Sequence, residues 1–247
     1  MAQTTFHFKK FSIRQERCAM KVGTDAVLLG AWTSAQDAKT ILDIGTGTGI
    51  IALMLAQKSN AVIDAIEIDK CAYEEAEHNV RNSPFADLIN VMNISLQEFV
   101  YKSHRKYDLI VSNPPFFVEA SKSFEKARNI ARHTDHTLTY HELINSANSL
   151  LLENGRLCLI LPFKEGNDFI ENAVKKHFYC NKLTRVITRK GKQEKRLLLE
   201  FSKTRKPIVE NDLLILNEDM SYSRDYIDLT RDYYLNLEKY RNKPLRN

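Results

Sequence analysis

Short apolar runs alternate along this chain with longer stretches whose apolar positions recur at helical spacing, the pattern of strands separated by helices. Ile41, Leu42 and Ile44 make the first such run, and Ile50, Ile51, Leu53, Met54 and Leu55 follow it among good helix formers. Later runs predict strands at Ala61–Glu67, Leu88–Ile94, Tyr107–Ser112, Arg156–Leu161, Leu183–Thr188 and Arg196–Phe201. Helices are predicted at Tyr73–Val80, about Tyr140–Leu152 and Phe169–Lys176, with Gly155 as the C-terminal cap of the middle one. A further helix runs to Trp32, with Thr24 or Asp25 available to cap it. This alternation predicts an α/β fold, a seven-stranded, mostly parallel sheet with helices on both faces. No internal repeat or low-complexity linker interrupts it. One domain is expected: a strand-and-helix extension over 1–38, a core over 39–206 and a C-terminal extension over 207–247. In such sheets ligands bind outside the carboxyl ends of the strands.

Two of those ends carry unusual residues. After the first strand comes Asp43-Ile44-Gly45-Thr46-Gly47-Thr48-Gly49, whose glycines permit a tight turn and close backbone approach to a ligand. The next strand ends in Glu67, an acid placed to accept ribose hydroxyls. The spacing is G-x-G-x-G rather than the G-x-G-x-x-G of dinucleotide sites, and no lysine follows, which excludes a P-loop. Asp43 beside the loop suits a cationic, amino-acid-bearing nucleoside better than a pyrophosphate, and S-adenosylmethionine is such a molecule.

The fourth strand ends in Ser112 and runs into Asn113-Pro114-Pro115-Phe116. Two prolines lock two φ angles and remove two backbone donors, so neither a helix nor an interior strand continues through them. The corner presents an amide side chain, carbonyls with no competing N–H, and a flat ring. That set accepts hydrogen bonds from an exocyclic amino group while stacking on the ring that bears it. Taken alone, the run reads equally well as a rigid turn.

Asp43–Gly49 resembles motif I of the class I S-adenosylmethionine-dependent methyltransferases, which have a Rossmann-like fold, and Glu67 resembles their ribose-binding acid. Asn113-Pro114-Pro115-Phe116 resembles motif IV of the members that methylate planar amino or amide nitrogens. The chain is most similar to the bacterial tRNA(Val) anticodon-loop adenine N6-methyltransferases. Its opening block carries this, with Phe11, Arg17-Cys18-Ala19-Met20-Lys21-Val22-Gly23-Thr24-Asp25 and Leu28-Leu29-Gly30-Ala31-Trp32. So does its closing block, with Tyr222-Ser223-Arg224-Asp225-Tyr226, Leu229-Thr230 and Tyr233-Tyr234-Leu235. The likeness implies methyl transfer to N6 of the adenine beside the anticodon, adenine 37. It implies Asn113, Pro114, Pro115 and Phe116 as catalytic residues, Phe116 stacking the target base. It implies Lys21, Thr24, Asp43, Gly45, Thr46, Gly47, Gly49, Glu67, Ser95, Leu96 and Asn113 around the cofactor. Ser95 stands where the family has an acid, so its contact with the cofactor adenine is expected to be weaker.

Charge adds a partner. Between Lys182 and Lys206 ten lysines and arginines face two glutamates, in a chain of net charge +5, leaving the remainder mildly acidic. A basic strand pair suggests a polyanion footprint, although charge runs are usually solvated surface. The candidates for RNA are Arg189, Lys190, Lys192, Lys195 and Arg196 around a hairpin tip, with Arg128 and Arg132 in a long segment after the proline corner. The tail tyrosines read first as packing. With 247 residues and 43% hydrophobic content the chain can bury a sizeable core. No run is long and apolar enough to span a bilayer, and no apolar signal core opens the chain, so a cytoplasmic protein is expected, with no membrane contact. Cys18, Cys71, Cys158 and Cys180 are scattered, and the paired His133 and His136 lack a third ligand, so neither a disulfide framework nor a metal is expected. A monomer is expected. Two other functions stay open: a protein glutamine N5-methyltransferase, which needs the same corner, and a non-catalytic RNA-binding module.

Overall fold

The computed structural model describes residues 5–16, 18, 21–114 and 138–236. The chain opens with an antiparallel ribbon, β1 (Thr5–His7) and β2 (Ser12–Arg14), followed by α1 (Thr24–Trp32). The alternation then begins: β3 (Thr40–Ile44), α2 (Ile50–Ala56), β4 (Val62–Glu67), α3 (Lys70–Arg81), β5 (Ile89–Asn93), α4 (Leu96–Lys102) and β6 (Tyr107–Ser112). Beyond residue 137 come α5 (Tyr140–Leu150), β7 (Leu151–Pro162), α6 (Phe163–Val174), β8 (Tyr179–Arg189), β9 (Glu194–Ser202), β10 (Val209–Leu216) and α7 (Arg224–Thr230).

One sheet holds eight strands in the order β10-β8-β9-β7-β6-β3-β4-β5, and β9 alone runs antiparallel to its neighbours. Each apolar strand is covered on both faces, which is why these runs read as continuously hydrophobic. On one face α1, α2, α7 and the end of α3 pack over Ile41, Ile63, Val111 and Cys158. On the other, α4, α5 and α6 cover Leu42, Ile44, Ile110 and Leu159. The chain proceeds from β3 outward through β4 to β5, then crosses back to lay β6 on the other side of β3. The order therefore reverses between β3 and β6, the switch point at which open sheets of this type form a crevice.

Three expectations need correction. The sheet has eight strands, not seven. The additional one is β10, which pairs in parallel with β8 at the edge. Its first half, Val209-Glu210-Asn211-Asp212, is exposed and mostly polar, so the apolar run Leu213-Leu214-Ile215-Leu216 marks only its second half. Gly155 caps no helix. Leu151, in extended conformation, ends α5, and Gly155 lies in β7, where a Cβ would sit 2.7 Å from the Tyr107 carbonyl oxygen. Glycine is needed there for close backbone approach. Finally, neither Thr24 nor Asp25 caps α1: the N-cap is Gly23, with no side-chain hydrogen bond. The tail tyrosines within the described region do pack. Tyr222, Tyr226 and Tyr233 are buried in the core, and the Tyr234 ring lies 5.9 Å from that of Phe8.

Candidate active site

β3 and β6 are adjacent and parallel, with Ile44 opposite Ser112, so the residues leaving both strands start side by side. The Ser112 hydroxyl donates to the Ile44 carbonyl at 2.8 Å and ties the two ends together. Gly45, Gly47 and Gly49 then turn with φ of +70°, +57° and +82°, a region where L side chains are strained. The turn is pinned from below: the Gly45 and Thr46 amides both donate to the Ile66 carbonyl, and the Gly49 amide to Thr46. A Cβ on Gly45 or Gly47 would meet no atom within 4 Å, so the loop backbone fronts open space.

Asp43 lies beneath this loop, fully buried. Its Oδ2 accepts from the Thr46 hydroxyl at 2.6 Å, and its Oδ1 is buried without a hydrogen-bond partner among the described residues. Burial pushes the carboxyl up to about 7, against the pull of the Thr46 hydroxyl. Glu67, at the end of β4, is held rigidly: one carboxylate oxygen accepts from the Gly47 amide and the other from the Asp69 amide, both at 2.9 Å. Each oxygen keeps a lone pair for a further donor.

One cavity opens between these elements. Its walls include Gly45, Gly47 and Glu67 from the β3 and β4 ends, Asn113 from the β6 end, and the apolar Ile44, Ile66, Ile68, Ile94 and Leu96. Glycine loop, acid and Asn113 thus face one crevice. The set suits S-adenosylmethionine. Bare backbone and a fixed carboxylate are available to a ribose, and branched aliphatic walls to a flat base.

Other expected residues lie elsewhere. Thr46 and Gly49 shape the loop without lining the cavity, and Gly49 starts α2. Ser95 is the N-cap of α4, accepting from the Glu98 amide at 3.1 Å, while its neighbours Leu96 and Gln97 reach the cavity. Lys21 donates to the Gln15 carbonyl, and Thr24 begins α1. Neither lines the cavity. Pro114 is buried; Pro115, Phe116, Arg128 and Arg132 lie outside the described residues. Missed were Cys18, Asp69, Ala72 and Gln97, all lining the cavity. Only Asp69 left a sequence signal, a carboxylate one residue before a helix, and its side chain accepts from the Ala72 amide at 2.8 Å.

The basic run divides between opposite ends of the sheet. Because β8 runs parallel to β6 and β7, the β8–β9 hairpin with Arg189, Lys190, Lys192 and Lys195 lies at the same end as Asn113. Lys182, Lys203, Arg205 and Lys206 lie at the other. Several of these cations are already engaged: Arg196 with Asp25 at 2.8 Å, Arg185 with Glu210, Lys190 with Glu218 at 3.0 Å, and Lys182 over the Trp32 ring. Arg189, Lys192 and Lys195 are exposed at the cavity end. Among the described residues no disulfide joins the cysteines. Among the described residues no helix is long and apolar enough to cross a membrane.

Residues 19–185 match the family described as the methyltransferase small domain. The chain is 45% identical over 238 residues to the tRNA1(Val) (adenine(37)-N6)-methyltransferase of Trichodesmium erythraeum, covering 95% of this chain and 99% of that one. It is 47% identical over 235 residues to the protein of the same name from Flavobacterium psychrophilum, covering 94% and 100%. In fold it is similar to a predicted O-methyltransferase from Agrobacterium tumefaciens, with a TM-score of 0.66 at 18% identity over 85% of this chain and 96% of that one. NSun6 from Pyrococcus horikoshii, solved with SFG, aligns at a TM-score of 0.55 and 15% identity over 75% and 53%.

Proposed function

The chain belongs to the methyltransferase small-domain family, alongside the tRNA1(Val) (adenine(37)-N6)-methyltransferases, and from that premise we propose that it methylates N6 of adenine 37 in tRNA(Val) with S-adenosylmethionine as donor. The observation that carries this reading is the single crevice shared by Gly45, Gly47, Glu67 and Asn113. Gly45, Gly47 and the apolar walls hold the nucleoside, and the Glu67 carboxylate accepts from its ribose. Bound there, S-adenosylmethionine supplies an electrophilic methyl group.

The chain's own residues ready the acceptor. An adenine amino nitrogen is a poor nucleophile because its lone pair is delocalised into the ring. The Asn113 side-chain oxygen and the Pro114 carbonyl accept its two N–H groups and favour a pyramidal nitrogen with the lone pair freed. No strong base is required, because the proton becomes acidic only as nitrogen acquires its fourth bond. Positioning and fixed acceptors aimed at the developing positive charge provide the acceleration. Phe116 is the proposed platform for the target base, a contact of about 1–3 kcal/mol. An unpaired loop base costs less to extrude than one in a duplex.

Arg189, Lys192 and Lys195 are the proposed phosphate contacts, with Lys190, Arg196, Arg128 and Arg132 as further candidates. At ordinary strand spacing the hairpin lies roughly 10–14 Å along the sheet from β6, a distance a loop backbone spans in a few nucleotides. Arg196 contributes through its Asp25 pair more than through a free charge. A monomer suffices, since every residue invoked comes from one chain, and a tRNA substrate puts the enzyme in the cytoplasm. The deciding experiment incubates the protein with methyl-labelled cofactor and either bulk tRNA or total protein from a strain lacking it. Label in N6-methyladenosine of tRNA(Val) supports the reading, and label in protein glutamine overturns it.

A further inference from the structure

Helix α3 carries two buried polar side chains that the chemistry does not use. Glu75 is 4% and Asn79 2% exposed, and neither lines the cofactor crevice. Both reach backbone far away in sequence. The Glu75 carboxylate accepts from the Glu16 amide with one oxygen and from the Cys18 amide, at 2.7 Å, with the other. The Asn79 side chain accepts from the Arg14 amide at 2.8 Å and donates to the Arg14 carbonyl at 3.0 Å. It also donates to the Thr48 carbonyl at 2.9 Å.

Two of these partners bear on the site. Thr48 belongs to the glycine turn, and Cys18 lines the crevice. Asp69, the N-cap of this helix, and Ala72 in its first turn also line it, at steps of three from Glu75. The helix approaches the turn closely as well, since a Cβ at Gly49 would lie 3.5 Å from the Ala76 Cβ. One face of α3 therefore touches the crevice with its first turn and fastens two walls with its second and third. Buried side chains bonded to backbone fix position far better than apolar packing, because an unmet partner costs its full desolvation.

We infer that Glu75 and Asn79 are positioning residues for the cofactor: they set the gap between the glycine turn and the backbone at Arg14, Glu16 and Cys18, and with it the affinity for S-adenosylmethionine. Their action is on binding and not on the transfer step, since Asn113 and Pro114 follow β6 and lie outside this linkage. The inference rests on the methyltransferase reading.

The test is calorimetry with S-adenosylhomocysteine on the full chain, beside steady-state kinetics. Glu75→Gln sets an NH2 group against a backbone amide, so the segment must retreat. The expected result is a Kd for S-adenosylhomocysteine raised about tenfold, equivalent to about 1.4 kcal/mol. KM for S-adenosylmethionine should rise in parallel, with kcat and the KM for tRNA within about twofold of wild type. Glu75→Asp, which keeps the carboxylate one methylene short, should fall between Glu75→Gln and wild type. Asn79→Ala supplies the same readout if Glu75→Gln fails to fold. Unchanged affinity in a folded variant would overturn the inference, as would a fall in kcat without a change in Kd, or loss of folding in both variants. Wild-type protein giving no binding heat would instead remove the methyltransferase reading itself.

Discussion

At the scale of single residues, the proposed reaction divides binding from chemistry between two side chains. Asn113 lines the crevice and is the proposed acceptor for the target amino group, while Glu67 holds the Gly47 amide of the turn and is the proposed ribose contact. Asn113→Ala should abolish methyl transfer, measured with labelled cofactor, while calorimetric cofactor affinity changes by less than about threefold. Glu67→Ala should do the reverse, weakening cofactor binding several-fold because it removes an acceptor and frees the Gly47 amide, a loss of roughly 1–3 kcal/mol. Asp43 makes a pH prediction. Its folded carboxyl is raised from 3.8 to about 7 by burial, so between those values the folded chain binds more protons than the unfolded one. Stability from this group is complete below about pH 4 and is lost as pH rises through 7, with a slope of at most about 1.4 kcal/mol per pH unit. Asp43→Asn preserves the acceptor for Thr46 and should remove that slope; urea midpoints at pH 5 and pH 8 measure it. Glu67 and Asn113 were legible as crevice residues because each ends or follows an apolar strand, whereas Asp43, expected at the cofactor, is buried beneath the loop and does not line the crevice. Cys18 was not legible as a wall, because a backbone amide bonded to a carboxylate 57 residues away leaves no local pattern.

At the scale of elements, β3, β4, β6, β7 and β9 announce themselves by runs of buried residues on both faces, and most of the helices between them by spacing. Those that escaped are the ones with little to bury. In α4 only Leu96 and Phe99 are buried in seven residues, and the first four positions of β10 are exposed. Gly155 misled because two demands, a left-handed cap and a close strand approach, select the same residue. The β8–β9 hairpin and its charge were both legible, but not which cations share an end of the sheet with Asn113, since only the pairing shows that. The combined change Arg189→Gln, Lys192→Gln and Lys195→Gln should reduce the slope of log affinity for tRNA against log salt by about 2. kcat at saturating tRNA should stay within about twofold, and cofactor affinity should be unaffected. Filter binding at several salt concentrations checks the slope.

At the scale of the whole molecule, the alternation of elements indicated the architecture and the switch point between β3 and β6 indicated where the crevice lies. What pattern could not reveal is how distant segments are brought to one sheet edge, because parallel pairing spends no local turn that a sequence could display. That edge has a consequence for synthesis on the ribosome. β8 and β9 form a hairpin as they emerge, but the outer edge of β8 waits for β10, which is translated later and joins by a parallel crossover. Until then a row of β8 amides and carbonyls from Lys182 to Arg189 stands open to pairing with a neighbouring nascent chain. A chain stopped after residue 206 should keep every crevice-lining residue yet aggregate during expression, seen as a shift from the soluble to the pelleted fraction. The last strand would then matter less for what the molecule does than for whether it survives being made.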